Sequence, residues 1–89
     1  HQETVFIGTI NQTVIHPREI FKQAIRLSAS SIICVHNHPT GNSTPSQMDL
    51  VSTHSLIEAS EILKISLIDH IIIGKNEFFS IRQNKKIKV

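Results

Sequence analysis

The stretch Ser31-Ile32-Ile33-Cys34-Val35-His36-Asn37-His38-Pro39-Thr40-Gly41-Asn42-Ser43-Thr44-Pro45-Ser46-Gln47-Met48-Asp49 decides how this chain folds. Its first residues form an apolar, β-branched run, which predicts a buried strand. Pro39, Gly41 and Pro45 then predict an irregular loop. Ser46 resembles a helix N-cap and Asp49 falls in the first helical turn. The sequence therefore predicts a strand, a loop and a helix in that order.

Three polar side chains meet where that strand ends and that helix begins. His36 and His38 lie two residues apart in the strand direction, so they share one face. The returning loop can bring Asp49 beside them. Two imidazoles, one carboxylate and an open position held by water form the ligand set of a catalytic zinc site. We therefore expect one zinc ion per chain, bound by His36, His38 and Asp49.

Simpler interpretations of the same residues exist. Ser46-x-x-Asp49 is also a capping-box-like signature, which would stabilise any helix by about 1 kcal/mol without a metal. His36 and His38 could be polar residues at a strand end, but their combination with the cap at this spacing favours ligands. HNH nucleases do not place their histidines next to one another in this way. Zinc deaminases need H-x-E and a later P-C-x-x-C, and Cys34 is the single cysteine.

The spacing H-x-H-P-x(6)-S-x-x-D resembles the JAMM (MPN+ or JAB) metalloprotease motif. Further segments resemble the RadC branch of that family, and the resemblance extends from near the start of the chain to about residue 82. These segments are Phe6-Ile7-Gly8-Thr9, His16-Pro17-Arg18-Glu19, His36-Asn37-His38-Pro39 with Gly41, and Asp69-His70-Ile71-Ile72. The resemblance implies an α/β fold with cytidine-deaminase-like layering.

The resemblance also implies a function. It suggests a zinc-dependent hydrolase in which activated water attacks an amide or isopeptide bond of a peptide or protein, with the Ser46 hydroxyl donating to the oxyanion. The alternative is a non-catalytic, metal-stabilised interaction module associated with DNA repair, as the RadC name suggests. Both need the same ligands, so the sequence does not discriminate between them.

One part of the family pattern has no clear match. The family places a glutamate general base on a strand upstream of the segment matching Phe6-Ile7-Gly8-Thr9, so we expect that residue before His1. The 89 residues would then be one domain, 1–89, excised from a longer chain without its upstream strand. Glu3 is a weaker candidate base, and Glu19 suits the start of a helix instead. Such a piece should hold metal but hydrolyse poorly, and its uncovered sheet edge could pair two copies as a homodimer.

Two more polar residues lie on a later strand. Asp69 and His70 are neighbours and should point to opposite faces, so direct pairing between them is not expected. One of them could contact a metal ligand.

Composition sets the remaining limits. No apolar run is long enough to span a membrane, and Cys34 lies within an apolar run, which suits a buried thiol in a reducing compartment. We therefore expect a cytoplasmic protein with no membrane partner. The net charge is +2, and four of the nine Lys and Arg residues fall in the last eight positions. This charge does not support nucleic-acid binding.

The periodicity predicts the order β-β-α-β-α-β-β, with a mixed sheet flanked by helices. The strands are expected at 3–10, 13–15, 31–36, 65–73 and 77–82, with a hairpin at Asn11-Gln12. The first helix should begin at Pro17 and the second should run from 47 to 63. Their expected apolar faces are Ile20, Phe21, Ala24, Ile25 and Leu27 in the first helix, and Leu50, Val51, Ile57, Ile62 and Leu63 in the second, opposite Ser52, Ser55 and Glu58.

Overall fold

The computed structural model describes residues 3–10 and 15–89. Its elements follow the order βαβαβββ. They are β1 (Val5–Ile10), α1 (Pro17–Arg26), β2 (Ser31–Asn37), α2 (Gln47–Leu63), β3 (Ser66–Gly74), β4 (Glu77–Ser80) and β5 (Lys85–Lys88). The α/β class with a mixed sheet is confirmed.

One strand prediction falls mostly outside the described residues, and another differs from the structure. The predicted hairpin at Asn11-Gln12 and most of the strand at 13–15 lie outside the described residues, and Ile15 is buried but belongs to no strand. The closing strand ends at Ser80 rather than Arg82. A turn follows, and β5 then adds a strand that the periodicity did not reveal. The lysines of β5 match the charged character that protects sheet edges from association.

The five strands form one sheet in the order β1-β2-β3-β4-β5. The first three are parallel, whereas β4 and β5 are antiparallel to their neighbours. Helices α1 and α2 contact each other, α1 also contacts β1, and α2 contacts β3. Both helices therefore cover the same face of the sheet. Within the described residues β1 has a neighbour on one side only, and pairing of two copies there stays a prediction.

The hydrophobic core lies between the two helices and the sheet. On β2 the alternating residues Ile32 and Cys34 point into it and are fully buried. Phe21 and Ala24 of α1 and Leu56 of α2 complete the contact from the helical side. The opposite face of the sheet is apolar but open: Ile7, for example, is 60% exposed.

The predicted apolar face of α1 is correct in part. Phe21 and Ala24 are buried and Ile20 packs against the core, but Ile25 and Leu27 are exposed.

The predicted apolar face of α2 is wrong for most of its residues. Leu50, Val51, Ile62 and Leu63 are exposed, and the buried side consists of Asp49, Ser52, Thr53, Leu56 and Ser60. The hydroxyls of Thr53 and Ser60 donate to the carbonyls of Asp49 and Ile57 at 2.8 and 2.6 Å. Because these hydroxyls form hydrogen bonds within their own helix, they can be buried at little cost in free energy.

Across residues 3–10 and 15–89, neither helix has both the length and the apolar character that crossing a membrane requires.

Candidate metal centre

The end of β2 and the start of α2 position the three predicted ligands. His36 is the penultimate residue of β2 and is 6% exposed. His38 follows the strand, and its amide donates to the carbonyl of Ile73 on β3 at 3.0 Å. Asp49 is the third residue of α2 and is 2% exposed. Backbone hydrogen bonds of two strands and one helix therefore fix the Cα positions of the three residues.

A capping box orients Asp49. The Ser46 amide donates to Asp49 Oδ2 at 2.7 Å, and the Asp49 amide donates to Ser46 Oγ at 3.1 Å. These reciprocal bonds satisfy two amides at the helix start. The predicted cap is confirmed, and it coexists with the ligand arrangement rather than replacing it.

The three side chains converge on one point. Asp49 Oδ1 lies 3.1 Å from His36 Nδ1, and Asp49 Oδ2 lies 3.0 Å from His38 Nε2. One ligand atom from each residue falls within 4.8 Å of the others, which makes this the single group of three candidate ligands in the described part of the chain. The two imidazole rings meet edge to face, with centroids 5.0 Å apart.

The hydrogen bonds of the His38 ring are compatible with a bound cation. Its Nδ1 atom lies 2.9 Å from the carbonyl oxygen of Asn42, which can only accept, so Nδ1 carries the proton. In the neutral ring Nε2 then presents a lone pair, 3.0 Å from a carboxylate oxygen of Asp49. Two lone pairs at this distance repel each other unless a cation lies near both.

His36 supports the same conclusion. Its Nδ1 atom is buried and lies 3.1 Å from Asp49 Oδ1, but the two atoms do not form a hydrogen bond, and no other described residue pairs with Nδ1. A buried nitrogen without a partner is costly, and a metal ion would satisfy it. Two imidazole nitrogens and one carboxylate oxygen suit zinc and other transition metals that bind imidazole.

The electrostatics favour a charged Asp49. Burial alone would raise the pKa of this carboxyl group, but the hydrogen bonds from Ser46 and the neighbouring imidazoles His36 and His38 lower the pKa below its usual value. Asp49 is therefore ionised at neutral pH, as a metal ligand must be.

Of the two candidates on β3, the structure brings only His70 to this site. The ring of His70 is fully buried and stacks on that of His36, with centroids 6.0 Å apart. Burial and the nearby His36 lower the pKa of His70 to about 4. Asp69 points to the other face of the sheet, where it accepts hydrogen bonds from Ser80 Oγ and the amide of Arg82. The prediction that the two side chains diverge is confirmed.

Comparison with known proteins identifies the family. The sequence profile of the RadC-like JAB domain matches residues 1–86. This chain belongs to the RadC-like JAB domain family. It is 59% identical over 81 residues to a UPF0758 protein of Desulforamulus reducens, covering 91% of this chain and 36% of that one. It is 48% identical over 87 residues to a UPF0758 protein of Bacillus cereus, covering 98% and 39%. This RadC-like JAB domain thus spans less than two-fifths of the relatives it matches.

The structure does not bring Glu3 to the candidate metal centre, so the suggestion that it serves as the base is corrected. In the parallel pairing of β1 with β2, Val5 lies beside Ser31 and Ile10 lies beside His36. Glu3 precedes Val5 and is therefore at the opposite end of the sheet from the histidines. Glu19 lies in the first turn of α1, as predicted.

Sequence reasoning missed several residues that support the site. Thr53 Oγ1 lies 2.6 Å from His70 Nδ1, and Glu77 binds the loop that carries His38. The predicted apolar face of α2 does not include Thr53, and no local pattern links Glu77 to a loop 34 residues earlier. The buried Thr53 on α2 points to a supporting role only once its partner on β3, His70, is known.

Proposed function

We propose that this RadC-like JAB domain binds one zinc ion through His36, His38 and Asp49, and that the intact protein uses it to hydrolyse an amide or isopeptide bond of a peptide or protein. The observation that carries the proposal is the convergence of the three ligand atoms within 4.8 Å. It is supported by the Asn42 carbonyl, which accepts from His38 Nδ1 and so makes Nε2, directed at Asp49, the ligand atom of the neutral ring.

The residues of the domain have distinct roles in this proposal. When bound, zinc supplies a Lewis acid that lowers the pKa of water from 15.7 to about 7, so that a nucleophile exists at neutral pH. Ser46 is exposed, and its oxygen accepts from the Asp49 amide, which leaves the hydroxyl proton free to donate. Donation to the carbonyl oxygen under attack would contribute about 10²- to 10³-fold in rate. The Asp49 carboxylate accepts from the Ser46 amide and lies beside both histidines, so it holds Ser46 close to the metal ligands.

A second candidate function is a non-catalytic, metal-stabilised interaction module associated with DNA repair. Among the described residues no glutamate joins the three ligands, so these residues by themselves form a metal site without a general base. A proton acceptor in the right place typically contributes about 10²- to 10⁴-fold to such a hydrolysis. A domain without one would keep the metal for stability.

The metal-binding part is tested by calorimetric titration of the chelator-treated chain with zinc. We expect one zinc per chain in the wild type and strongly weakened binding in His36→Ala. His54→Ala is the matched control, because His54 is exposed on α2, where it pairs with Glu58 at the surface. Wild-type affinity in His36→Ala would contradict the proposed site. Anomalous scattering at the zinc edge would identify the ion.

The two functions are separated by turnover. The full-length protein, with and without zinc, should be incubated with a peptide library and with isopeptide-linked substrates. Metal-dependent cleavage that falls about 10²- to 10³-fold in Ser46→Ala supports the hydrolase. A metal-dependent rise in melting temperature without any metal-dependent cleavage supports the module instead.

A further inference from the structure

The loop between His38 and Ser46 is held from outside by the hairpin of β3 and β4. Ser43, in the middle of this loop, is fully buried. Its amide and its hydroxyl both donate to the same oxygen of Glu77, Oε2, each at 2.7 Å. These hydrogen bonds lower the pKa of Glu77 to about 2, so its carboxylate stays charged.

Lys86 of β5 binds both Glu77 and the loop residues on either side of Ser43. Its Nζ atom lies 3.1 Å from Glu77 Oε2, and it donates to Asn42 Oδ1 and Thr44 Oγ1 at 3.1 and 2.9 Å. The residues on either side of Ser43 are therefore attached to the same carboxylate through one ammonium group.

Backbone contact adds a second constraint. Gly74 lies directly beneath the loop, where a Cβ atom would collide with the carbonyl oxygen of Gly41 and lie 2.9 Å from the Ser43 amide nitrogen. The amide of Lys75 donates to that same Gly41 carbonyl at 2.7 Å. The loop can lie this close to β3 because residue 74 has no side chain.

The contact between Glu77 and Ser43 also affects the predicted metal ligand His38. The carbonyl of Asn42 precedes the amide of Ser43 in one peptide group, so holding that amide also aims the carbonyl. The carbonyl accepts from His38 Nδ1 at 2.9 Å and so determines which ring nitrogen is free to bind metal. Groups that orient a ligand in this way typically change metal affinity about 10- to 100-fold.

We propose that Glu77 is a positioning residue of the metal centre: by binding both donors of Ser43 it holds the Asn42 carbonyl against His38 Nδ1 and keeps His38 Nε2 directed at the metal. This inference rests on the proposed metal site. It assigns to β4 a role in metal binding that the ligand motif does not contain.

The test compares Glu77→Ala with Glu77→Gln. Glutamine keeps a carbonyl oxygen that can accept from both Ser43 donors, whereas alanine keeps none, and both lose the negative charge. We expect zinc affinity to fall about 10- to 100-fold in Glu77→Ala and to stay within about threefold of wild type in Glu77→Gln. Glu61→Ala, an exposed carboxylate on α2, controls for the general loss of negative charge. Equal affinity in wild type and Glu77→Ala would overturn the proposal.

A second measurement does not depend on metal. Nitrogen-15 spectra of the imidazole rings in metal-free protein report the His38 tautomer. We expect the Nδ1–H form in wild type and Glu77→Gln, and a mixture in Glu77→Ala. Ser43→Ala, which keeps the backbone donor, should give an intermediate result if Glu77→Ala does not fold. An unchanged tautomer in these variants overturns the role of Glu77. If the wild type binds no zinc while Glu77→Ala still changes the tautomer, the proposed function alone is overturned.

Discussion

The Nδ1 atom of His70 and the Oγ1 atom of Thr53 lie 2.6 Å apart in the interior, between β3 and α2. The Thr53 hydroxyl donates to the carbonyl of Asp49, so its oxygen accepts from His70 Nδ1–H. This chain of bonds joins β3 to the first turn of α2, next to a ligand. It also holds the ring of His70 stacked on that of His36.

Thr53→Val should destabilise the fold. Valine has nearly the shape of threonine but leaves His70 Nδ1–H buried without an acceptor, which costs about 1–3 kcal/mol. Urea unfolding monitored by circular dichroism measures the loss. Thr9→Val on the open face of the sheet is the control, because Thr9 is exposed. An equal, small effect in both variants would contradict the buried hydrogen bond.

Stability should fall as the pH drops below about 6.5. The pKa of folded His70 is lowered to about 4 by burial and His36, whereas an unfolded imidazole binds a proton near 6.5. The unfolded state therefore takes up the proton first, and stability is lost between these two values, by up to about 1.4 kcal/mol per pH unit. Urea unfolding at about pH 7.5 and about pH 5, with chelator present, measures this slope. His70→Gln should reduce the slope and His54→Gln should not.

Asp69→Ala should destabilise the domain without weakening metal binding. The carboxylate accepts from Ser80 Oγ at 2.5 Å and from the Arg82 amide at 3.1 Å, and Ser80 is 2% exposed. Leaving buried donors unpaired costs about 1–3 kcal/mol each. Zinc affinity should stay the same because Asp69 faces away from the ligands. A large drop in zinc affinity at unchanged stability would show that Asp69 acts on the site.

Asp49→Asn and Asp49→Ala should separate metal binding from helix capping. Asparagine can still accept from the Ser46 amide but is a poor zinc ligand, whereas alanine loses both functions. We expect both variants to lose zinc affinity, and only Asp49→Ala to lose about 1 kcal/mol of additional stability in the metal-free form. Calorimetric titration and urea unfolding provide the two measurements. Wild-type zinc affinity in Asp49→Asn would remove Asp49 from the ligand set.

Cys34 should be unreactive in the folded chain. Its side chain is fully buried and burial raises the pKa of its thiol to about 12, so almost no thiolate exists at neutral pH. Alkylation by iodoacetamide, followed by mass spectrometry, should be slow in native conditions and rapid in denaturant. Rapid native labelling would mean that β2 opens easily.

Local sequence alone predicts the central strand–loop–helix unit. The β-branched run gives β2, and the cap at Ser46 with Asp49 in the first turn gives a helix at 47–63, as observed. The two-residue spacing of the histidines and the position of Asp49 also predict their convergence. These features depend on interactions between near neighbours in the chain, which is why they can be read from residues in order.

Only the tertiary structure decides which face of α2 is buried and what surrounds the ligands. Thr53 is polar but buried against His70 of β3, whereas Ile62 is apolar but 80% exposed, so polarity by itself misassigns both. Ser43 meets Glu77 because β4 folds back on β3 beside the loop. Such contacts join residues that are far apart in the chain, such as Ser43 and Glu77, and they depend on how the loop packs on the hairpin, which no local pattern of residues encodes.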